Sequence, residues 1–376
     1  MRAINSSVMK LMNRKMILDC IRRQPISRAE LSDQTHLTRA SITQIVDELM
    51  ADGLVAESAV VGRKQPGRRL TQLALVSDSR YILGVNLTRI HYDLGIINLG
   101  GEVIFEHRGQ LAGRPVSEVV DEICRVLWSV IREKQLSEER IMGLGLCTPG
   151  PLDPRTGTIL NPPNFSAWHN LPIADMMEQR LGIRPILRNI SNACTLDEMY
   201  FGIGREGAEN FMVLHVDEGV GAGFILRNRL FTGSHDQSLE VGHVSIDMNG
   251  PLCACGNRGC LERYISFPAV LEGTRFSCWP EVIDSLDSDP DARALMDRVA
   301  DILAFQIVNI INMFDMEKTV LSGNYLYGGE LLARAINRRI HGRSLRQVGS
   351  DPVVSGRALV APRIAAMPAY HAIFSN

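Results

Sequence analysis

A chain of 376 residues with 45% hydrophobic and 22% charged side chains has room for two or three domains with full cores, and its composition is that of an ordinary soluble globular protein. A net charge of −2 excludes a global attraction to nucleic acid, so any basic surface must be local. Eight cysteines without a secreted pattern, a basic N-terminus with no apolar signal core, and the absence of an uninterrupted membrane-length apolar run point to reduced thiols, a cytoplasmic location and no membrane insertion.

Val8, Leu11, Met12, Ile17, Leu18 and Ile21 recur at helical spacing, so an amphipathic helix opens the chain and Pro25 ends it. Ser27-Arg-Ala-Glu30 has the form of a capping box, in which the serine accepts from the N3 amide and the glutamate reaches back. A short helix follows through Leu31, His36-Leu37 turns, and Thr38 caps a third helix whose apolar stripe is Ile42, Ile45, Val46, Leu49 and Met50. Arg39, Ser41, Thr43 and Gln44 lie off that stripe near the N-terminus, and Gly53 stops the helix. Helix, capped helix, turn and capped helix make a helix-turn-helix, in which those four side chains would meet base edges in the major groove. A plain three-helix bundle is the competing reading. Against it, strand pieces at Leu54-Val55, Val60-Val61 and Leu70 to Leu75 flank Gly62 to Arg69, a turn carrying Arg63, Lys64, Arg68 and Arg69 with no acid. A cationic hairpin after a helix-turn-helix predicts a DNA-contacting wing whose charges neutralise phosphates. The winged helix-turn-helix is assigned to residues 1–76, with a linker at 77–80 around Ser77-Asp78-Ser79, and a second, larger unit at 81–376.

From Tyr81 the pattern changes. Strands are predicted at Tyr81 to Leu87, Leu94 to Ile97, Val103 to Phe105, Ile141 to Cys147, Ile186-Leu187, Phe211 to Val216 and Gly223 to Leu226. Helices are predicted at Val116 to Lys134, Ala174 to Leu181, Ala193 to Phe201, Ala292 to Phe314 and Gly329 to His341, with Asp284 to Asp291 as an exposed loop. Mixed strands and helices indicate α/β layers but not their topology.

Between Glu240 and Glu262 the chain reads Glu-Val-Gly-His243, nine residues, then Cys253-Ala-Cys255-Gly-Asn-Arg-Gly-Cys260-Leu-Glu. One imidazole and three thiolates suit tetrahedral Zn²⁺, and four protein ligands leave no open position for activated water, so a structural zinc on His243, Cys253, Cys255 and Cys260 is expected.

This stretch resembles the zinc motif of the ROK family of sugar-responsive repressors and sugar kinases, and Val216-Asp-Glu-Gly219-Val-Gly221-Ala-Gly223 upstream resembles that family's glycine-rich signature. The resemblance implies a two-lobed, actin-like and ribonuclease-H-like ATPase-type body with a sugar cleft between the lobes. Segments similar to the N-terminal 76 residues open the repressor branch and are missing from the kinases. It also implies sugar contacts at Asn164, Asn189, Glu240, His243 and Glu262. Family kinases carry Asn-Asp-x-Asn for the catalytic base and Asp-x-Gly-Gly-Thr for the phosphates of ATP. Here the first reads Asn189-Ile190-Ser191-Asn192 and the second Asn86-Leu87-Thr88-Arg89-Ile90, so the base and the glycine cradle are both missing. Ser322-Gly323-Asn324 is a third departure.

The resulting expectation is a transcriptional regulator of carbohydrate-metabolism genes: no catalytic residue, a homodimer or homotetramer on operator DNA, and a sugar or sugar phosphate as effector. Two alternatives stand beside it: an active ATP-dependent sugar kinase with a regulatory head, and a repressor governed by a sugar-transport protein.

Overall fold

A computed structural model of the chain describes residues 5–58, 71–163, 165–234, 240–345 and 351–375. The head begins with α1 (Ser6–Arg23), β1 (Ile26–Ser27), α2 (Arg28–Thr35) and α3 (Arg39–Ala51). The Ser27–Glu30 capping box forms with both of its bonds, His36 takes the left-handed conformation at φ 57°, and the Thr38 side chain accepts from Ser41 N. Two more strands, β2 (Val55–Ser58) and β3 (Gln72–Leu75), pair antiparallel, and β3 also pairs with β1. The tip between them, with the Val60-Val61 strand piece, Arg63, Lys64, Arg68 and Arg69, lies outside the described residues.

Residues Ser77–Ser79 form a short 3-10 turn that is tied down on both sides. Leu99 N donates to Ser77 O, Asn98 Nδ2 donates to Asp78 Oδ1 at 2.8 Å, and Val76 N donates to Leu54 O. The joint between head and body is therefore a fixed turn.

The first lobe contains β4 (Tyr81–Leu87), β5 (His91–Asn98), β6 (Val103–Gln110), α4 (Val116–Glu133), β7 (Ile141–Thr148), the small hairpin β8 (Leu152–Asp153) and β9 (Thr158–Ile159), α5 (Ile173–Leu181) and β10 (Ile186–Asn189). Helix α6 (Ile190–Phe201) leads to the second lobe. There follow β11 (Phe211–Val216), β12 (Val220–Leu226), β13 (Arg229–Phe231), α7 (Glu262–Ile265), α8 (Phe267–Leu271), α9 (Trp279–Asp284), α10 (Pro290–Phe314), β14 (Lys318–Gly323), α11 (Gly329–Ile340), β15 (Val353–Ser355) and α12 (Ala361–Phe374).

The two sheets repeat one topology. In order they run β10-β7-β4-β5-β6 and β13-β12-β11-β14-β15. In each, an antiparallel three-strand meander continues on the other side of its first strand with two parallel strands. Right-handed crossovers place the helices on the faces of such sheets, as the strongly apolar strands require.

The C-terminal helix α12 returns to the first lobe and lies across β4, β5 and β7. Three glycines make this approach possible. A Cβ at Gly84, Gly95 or Gly145 would lie 2.4–2.5 Å from the α12 backbone at Ala366, Pro362 or Ala365. Its other side meets α1, so Ile17, Leu18 and Ile21 of the head share one apolar core with Ala366, Met367, Tyr370 and Phe374. Asp284 to Asp291 is not the simple exposed loop expected: Asp284 ends α9, and Asp289 is buried because its side chain caps α10.

Candidate functional site

Helix α6 is the element around which the site is arranged. Twelve residues make a rod about 18 Å long. At its N-terminus Asn189 Oδ1 accepts from Ser191 N at 2.8 Å, which leaves the amide Nδ2 to face outward. A Cβ placed on Gly150 would lie 3.0 Å from Asn189 Nδ2 and 3.9 Å from Glu240 Oε1, so these three groups line one space. Ile190, where the kinase motif has its base, is half-buried and packs into the core as the first helical residue.

Along its length α6 presses on β12 where that strand has no side chains. A Cβ at Gly221 would sit 2.1 Å from Ser191 Oγ, and one at Gly223 would sit 2.2 Å from Thr195 Oγ1. Its two buried acids are satisfied from the C-terminal segment and from the turn that follows the helix. Arg363 binds Asp197 through Nε at 2.5 Å and through Nη2 at 3.1 Å, while Glu198 accepts from Arg357 N and Ile203 N. At the C-terminal end, Tyr200 is stacked under Arg22 of α1 at 4.6 Å, and Phe374 of α12 holds the same guanidinium at 5.4 Å. Arg22 also donates to Tyr200 O at 3.2 Å, and Lys15 Nζ donates to Ala372 O and Ser375 O at the end of α12. One end of α6 thus lines the cleft and the other end carries the head.

The segment after Glu240 begins with a 3-10 turn, Val241–His243, and closes through bridges Ser245–Cys260 and Leu252–Arg258. Gly259 sits at φ +64°, where a Cβ would be 1.7 Å from Asp247 O, so no other residue fits there. These constraints bring His243, Cys253, Cys255 and Cys260 together, with donor atoms all within 4.8 Å of one another. His243 Nδ1 lies 3.6 Å from Cys253 Sγ, and Cys255 Sγ lies 3.7 Å from Cys260 Sγ. A tetrahedral ion with bonds of about 2.0–2.3 Å needs donor separations of about 3.5–3.8 Å; the His243–Cys253 and Cys255–Cys260 pairs already have them, and the whole set needs only small side-chain adjustments to hold a metal ion. Burial and the neighbouring thiols push the Cys260 thiol up to about 12, while hydrogen bonds from the Asn257 backbone and the other thiols hold Cys255 below its usual range. With Nδ1 turned to the thiols, His243 keeps Nε2 for another partner.

The two acids that bracket the cluster lie within electrostatic reach of each other. Glu262 Oε2 accepts from Val220 N at 2.9 Å, which fixes one oxygen and leaves the other. Partial burial in the cleft pushes the Glu240 carboxyl above its usual range; His243 opposes this and Glu262 adds to it, which places all three within electrostatic reach. Asn164 lies outside the described residues. Trp168, beside it in sequence, is fully buried and stacked on Phe165 at 5.2 Å, so it supports the segment from within the core.

Several backbone donors in the turns that would face nucleotide phosphates are already engaged. Thr88 Oγ1 accepts from Ile90 N at 3.2 Å and His91 N at 2.9 Å, and Thr88 N donates to His91 O. In the second lobe Val220 N is taken by Glu262, and Asn324 N by Asp217 Oδ1 at 3.0 Å. One ion pair bridges the lobes here: Arg89 Nη1 lies 3.6 Å from Glu218 Oε2, while its Nε donates to Pro163 O at 3.0 Å within the first lobe.

On the head, Arg39, Thr43 and Gln44 are exposed at the N-terminal part of α3. Ser41 is half-buried, with its hydroxyl 2.9 Å from Thr38 Oγ1, so it belongs in part to the cap. The Thr43 hydroxyl donates to Arg39 O at 2.9 Å and Gln44 Nε2 to Glu48 at 3.2 Å, bonds that a base edge could displace.

Residues 82–361 match the ROK family, and residues 13–56 match a winged helix-turn-helix DNA-binding family. The chain belongs to the ROK family. It is 29% identical to the xylose repressor of Caldicellulosiruptor bescii over 365 residues, covering 90% of each chain. It is also 29% identical to the glucokinase of Thermotoga maritima over 279 residues, covering 69% of this chain and 86% of the kinase. Among solved structures, a ROK family transcriptional regulator described as a homologue of the E. coli MLC protein superposes with a TM-score of 0.83 at 25% identity, over 97% of both chains. The ROK family thus includes both repressors and kinases, and this chain, head included, has the layout of the repressors. The regulator and this chain share the two-lobed body and the winged head. What sequence reading missed was α12 and the Arg22–Tyr200–Phe374 contact; the clustered Ala365, Ala366 and Ala369 were its available signal.

Proposed function

We propose that this chain is a cytoplasmic transcriptional repressor that senses a sugar in the cleft between its lobes and carries out no chemical step. The observation that carries the reading is α6, which lines the cleft with Asn189 and supports the head with Tyr200. A ligand held by Asn189, Glu240, His243 and Glu262 joins groups from both lobes. Carboxylates accept from pairs of hydroxyls, and an amide and an imidazole N–H each take one more. Closing the lobes on such a ligand shifts β12 against α6, and packing this tight transmits the shift as a rigid displacement. The displacement reorients the head at α1. Two heads on a palindromic operator must keep a fixed helical phase, so in a homodimer or homotetramer a small rotation abolishes tight binding.

The metal on His243, Cys253, Cys255 and Cys260 is assigned as zinc. It would supply charge and rigidity, fixing Glu240 and Glu262 relative to each other across one short segment. Catalysis is disfavoured by three features of this chain: Ile190 at the base position, Arg89 in the phosphate turn, and backbone donors already engaged around Thr88. DNA contacts are assigned to Arg39, Ser41, Thr43 and Gln44, with Arg63, Lys64, Arg68 and Arg69 on the wing.

A thermal-shift screen of monosaccharides against the full chain tests the sensor. A true ligand raises Tm for the wild type and not for Glu240→Ala or Glu262→Ala. If no sugar stabilises the chain, or if the acid-to-alanine variants respond as the wild type does, the cleft is not a sugar site.

A further inference from the structure

We propose that the cleft selects an uncharged carbohydrate and refuses phosphorylated ones, and that Glu218 sets this refusal by holding the Arg89 guanidinium. The proposal rests on the sugar-sensing reading above and specifies its ligand class.

Four carboxylates stand on the second-lobe segments that frame the proposed sugar site: Asp217 and Glu218 on the β11–β12 turn, Glu240 before the metal cluster and Glu262 after it. Asp217 is already paired, with Oδ2 3.0 Å from His215 Nε2 and Oδ1 accepting from Asn324 N. Glu262 spends one oxygen on Val220 N. Glu240 carries no such bond to a backbone amide among the described residues and feels Glu262 as a neighbouring like charge. Glu218 is half-exposed and adjoins Gly219, whose Cβ position is 3.0 Å from Glu262 Oε2. An anionic ligand entering here meets negative charge on this wall.

The opposing wall offers a cation, Arg89, from the β4–β5 turn. A guanidinium is the preferred partner of a phosphate, because its fork matches two oxygens at once. Arg89 is held away from that role. Its Nε is committed to Pro163 O at 3.0 Å, and the charge beside it is Glu218 at 3.6 Å. The turn that carries Arg89 supplies little else, since Thr88 Oγ1 takes the Ile90 and His91 amides. A phosphate would have to displace Glu218, lose its own hydration and sit among the remaining acids. A hydroxylated, neutral ring meets the same groups as acceptors and donors and pays no such repulsion. In a partly desolvated cleft, one extra carboxylate within a few ångströms of a phosphate weakens binding by roughly 10-fold or more.

Two titrations by calorimetry on the full chain test this. Inorganic pyrophosphate is the first probe, because it requires no knowledge of the sugar. The wild type is expected not to bind it at millimolar concentration. Glu218→Gln, which keeps the shape and removes the charge, is expected to gain at least ~10-fold, and adding Arg89→Ala is expected to abolish the gain. Equal pyrophosphate binding by wild type and Glu218→Gln would overturn the assignment of Glu218. The second probe is a set of pairs: glucose, N-acetylglucosamine and xylose, each against its phosphate ester. Binding of a free sugar at least ~10-fold tighter than its ester, with the ratio narrowed in Glu218→Gln, is the expected result. An ester that binds the wild type as tightly as the free sugar would overturn the selectivity while leaving the sensor reading intact. No response to any free sugar, with pyrophosphate behaving as expected, would overturn the ligand class through the sensor reading itself.

Discussion

Removing the Arg22 side chain should disconnect the head from the body without unfolding either. Arg22 is almost fully buried, between the rings of Tyr200 and Phe374, with a bond to Tyr200 O and another to Asp19. Two desolvated cation–π contacts contribute about 0.5–2 kcal/mol each, and a charged donor to a carbonyl about 1.5–3 kcal/mol, before the lost packing is counted. These terms overlap in one guanidinium, so Arg22→Ala should weaken docking by about 2–4 kcal/mol in total. That is a shift of roughly 30- to 1000-fold in the ratio of docked to undocked heads. Asp19 is not left alone, because Arg23 still binds it at 2.9 Å. Hydrogen–deuterium exchange should show faster exchange in α1 and in the last turns of α12. Operator affinity should stay within a few-fold of the wild type, whereas release by sugar should be lost. Arg22→Lys keeps the charge without the planar stack and should fall between the two. Unchanged exchange in both helices, together with an intact sugar response in Arg22→Ala, would refute the coupling through α6.

Three further outcomes are expected. Burial, with Arg188 and Lys15 adding to it, lowers His371 to about 4, so its neutral ring can accept from the Tyr200 hydroxyl at 2.9 Å. The unfolded chain takes up this proton near pH 6.5 and the folded chain only near pH 4, so stability present above pH 6.5 is lost as pH falls through that window, by up to about 3 kcal/mol. Denaturation midpoints across pH 4–7 should therefore flatten in His371→Gln, and a profile matching the wild type would contradict this. Metal analysis of the purified chain should find one zinc per chain; stripping it, or Cys260→Ser, should abolish sugar-induced stabilisation and expose the segment around Cys253 to protease. Finally, Ile190→Asp restores a carboxylate at the base position but not the phosphate turn, so coupled assays with ATP and sugar should show no turnover; phosphoryl transfer in that variant would show that Arg89 and Thr88 do not block nucleotide.

Local signals in the sequence translated well into structure. The Ser27–Glu30 capping box, the α3 stripe and the core helix α10 each depend on residues within a few positions of one another, and each stands where its pattern indicates. The metal cluster was legible for the same reason: spacing and glycines confine the four ligands to one short segment. Strand lengths were read short where polar residues interrupt apolar runs. Strand β5 begins at His91 because Asp93 is neutralised by Arg108 at 2.7 Å and accepts a hydrogen bond from Asn86 Nδ2 at 3.3 Å. Strand β6 runs on to Gln110 because an edge strand can expose Glu106 and His107. Helix α12 escaped notice because it is buried on nearly every side and contains Pro368, so it shows no amphipathic period and a nominal breaker. Its place depends on glycines more than 200 positions away, a relation that no local pattern carries. The site was legible in its residue types and not in its wiring. Asn189 reads as a motif residue, yet half of its side chain caps α6, and the link from that cap to Arg22 appears only when α6 is seen spanning cleft and head.

The most direct test of the account is fluorescence anisotropy of a labelled DNA fragment from upstream of the chain's own gene, titrated with purified protein in the absence of ATP, with and without a stabilising free sugar. The account predicts tight, salt-sensitive binding that the sugar alone weakens by at least ~10-fold. Failure to bind the fragment, or weakening that requires ATP, would contradict it.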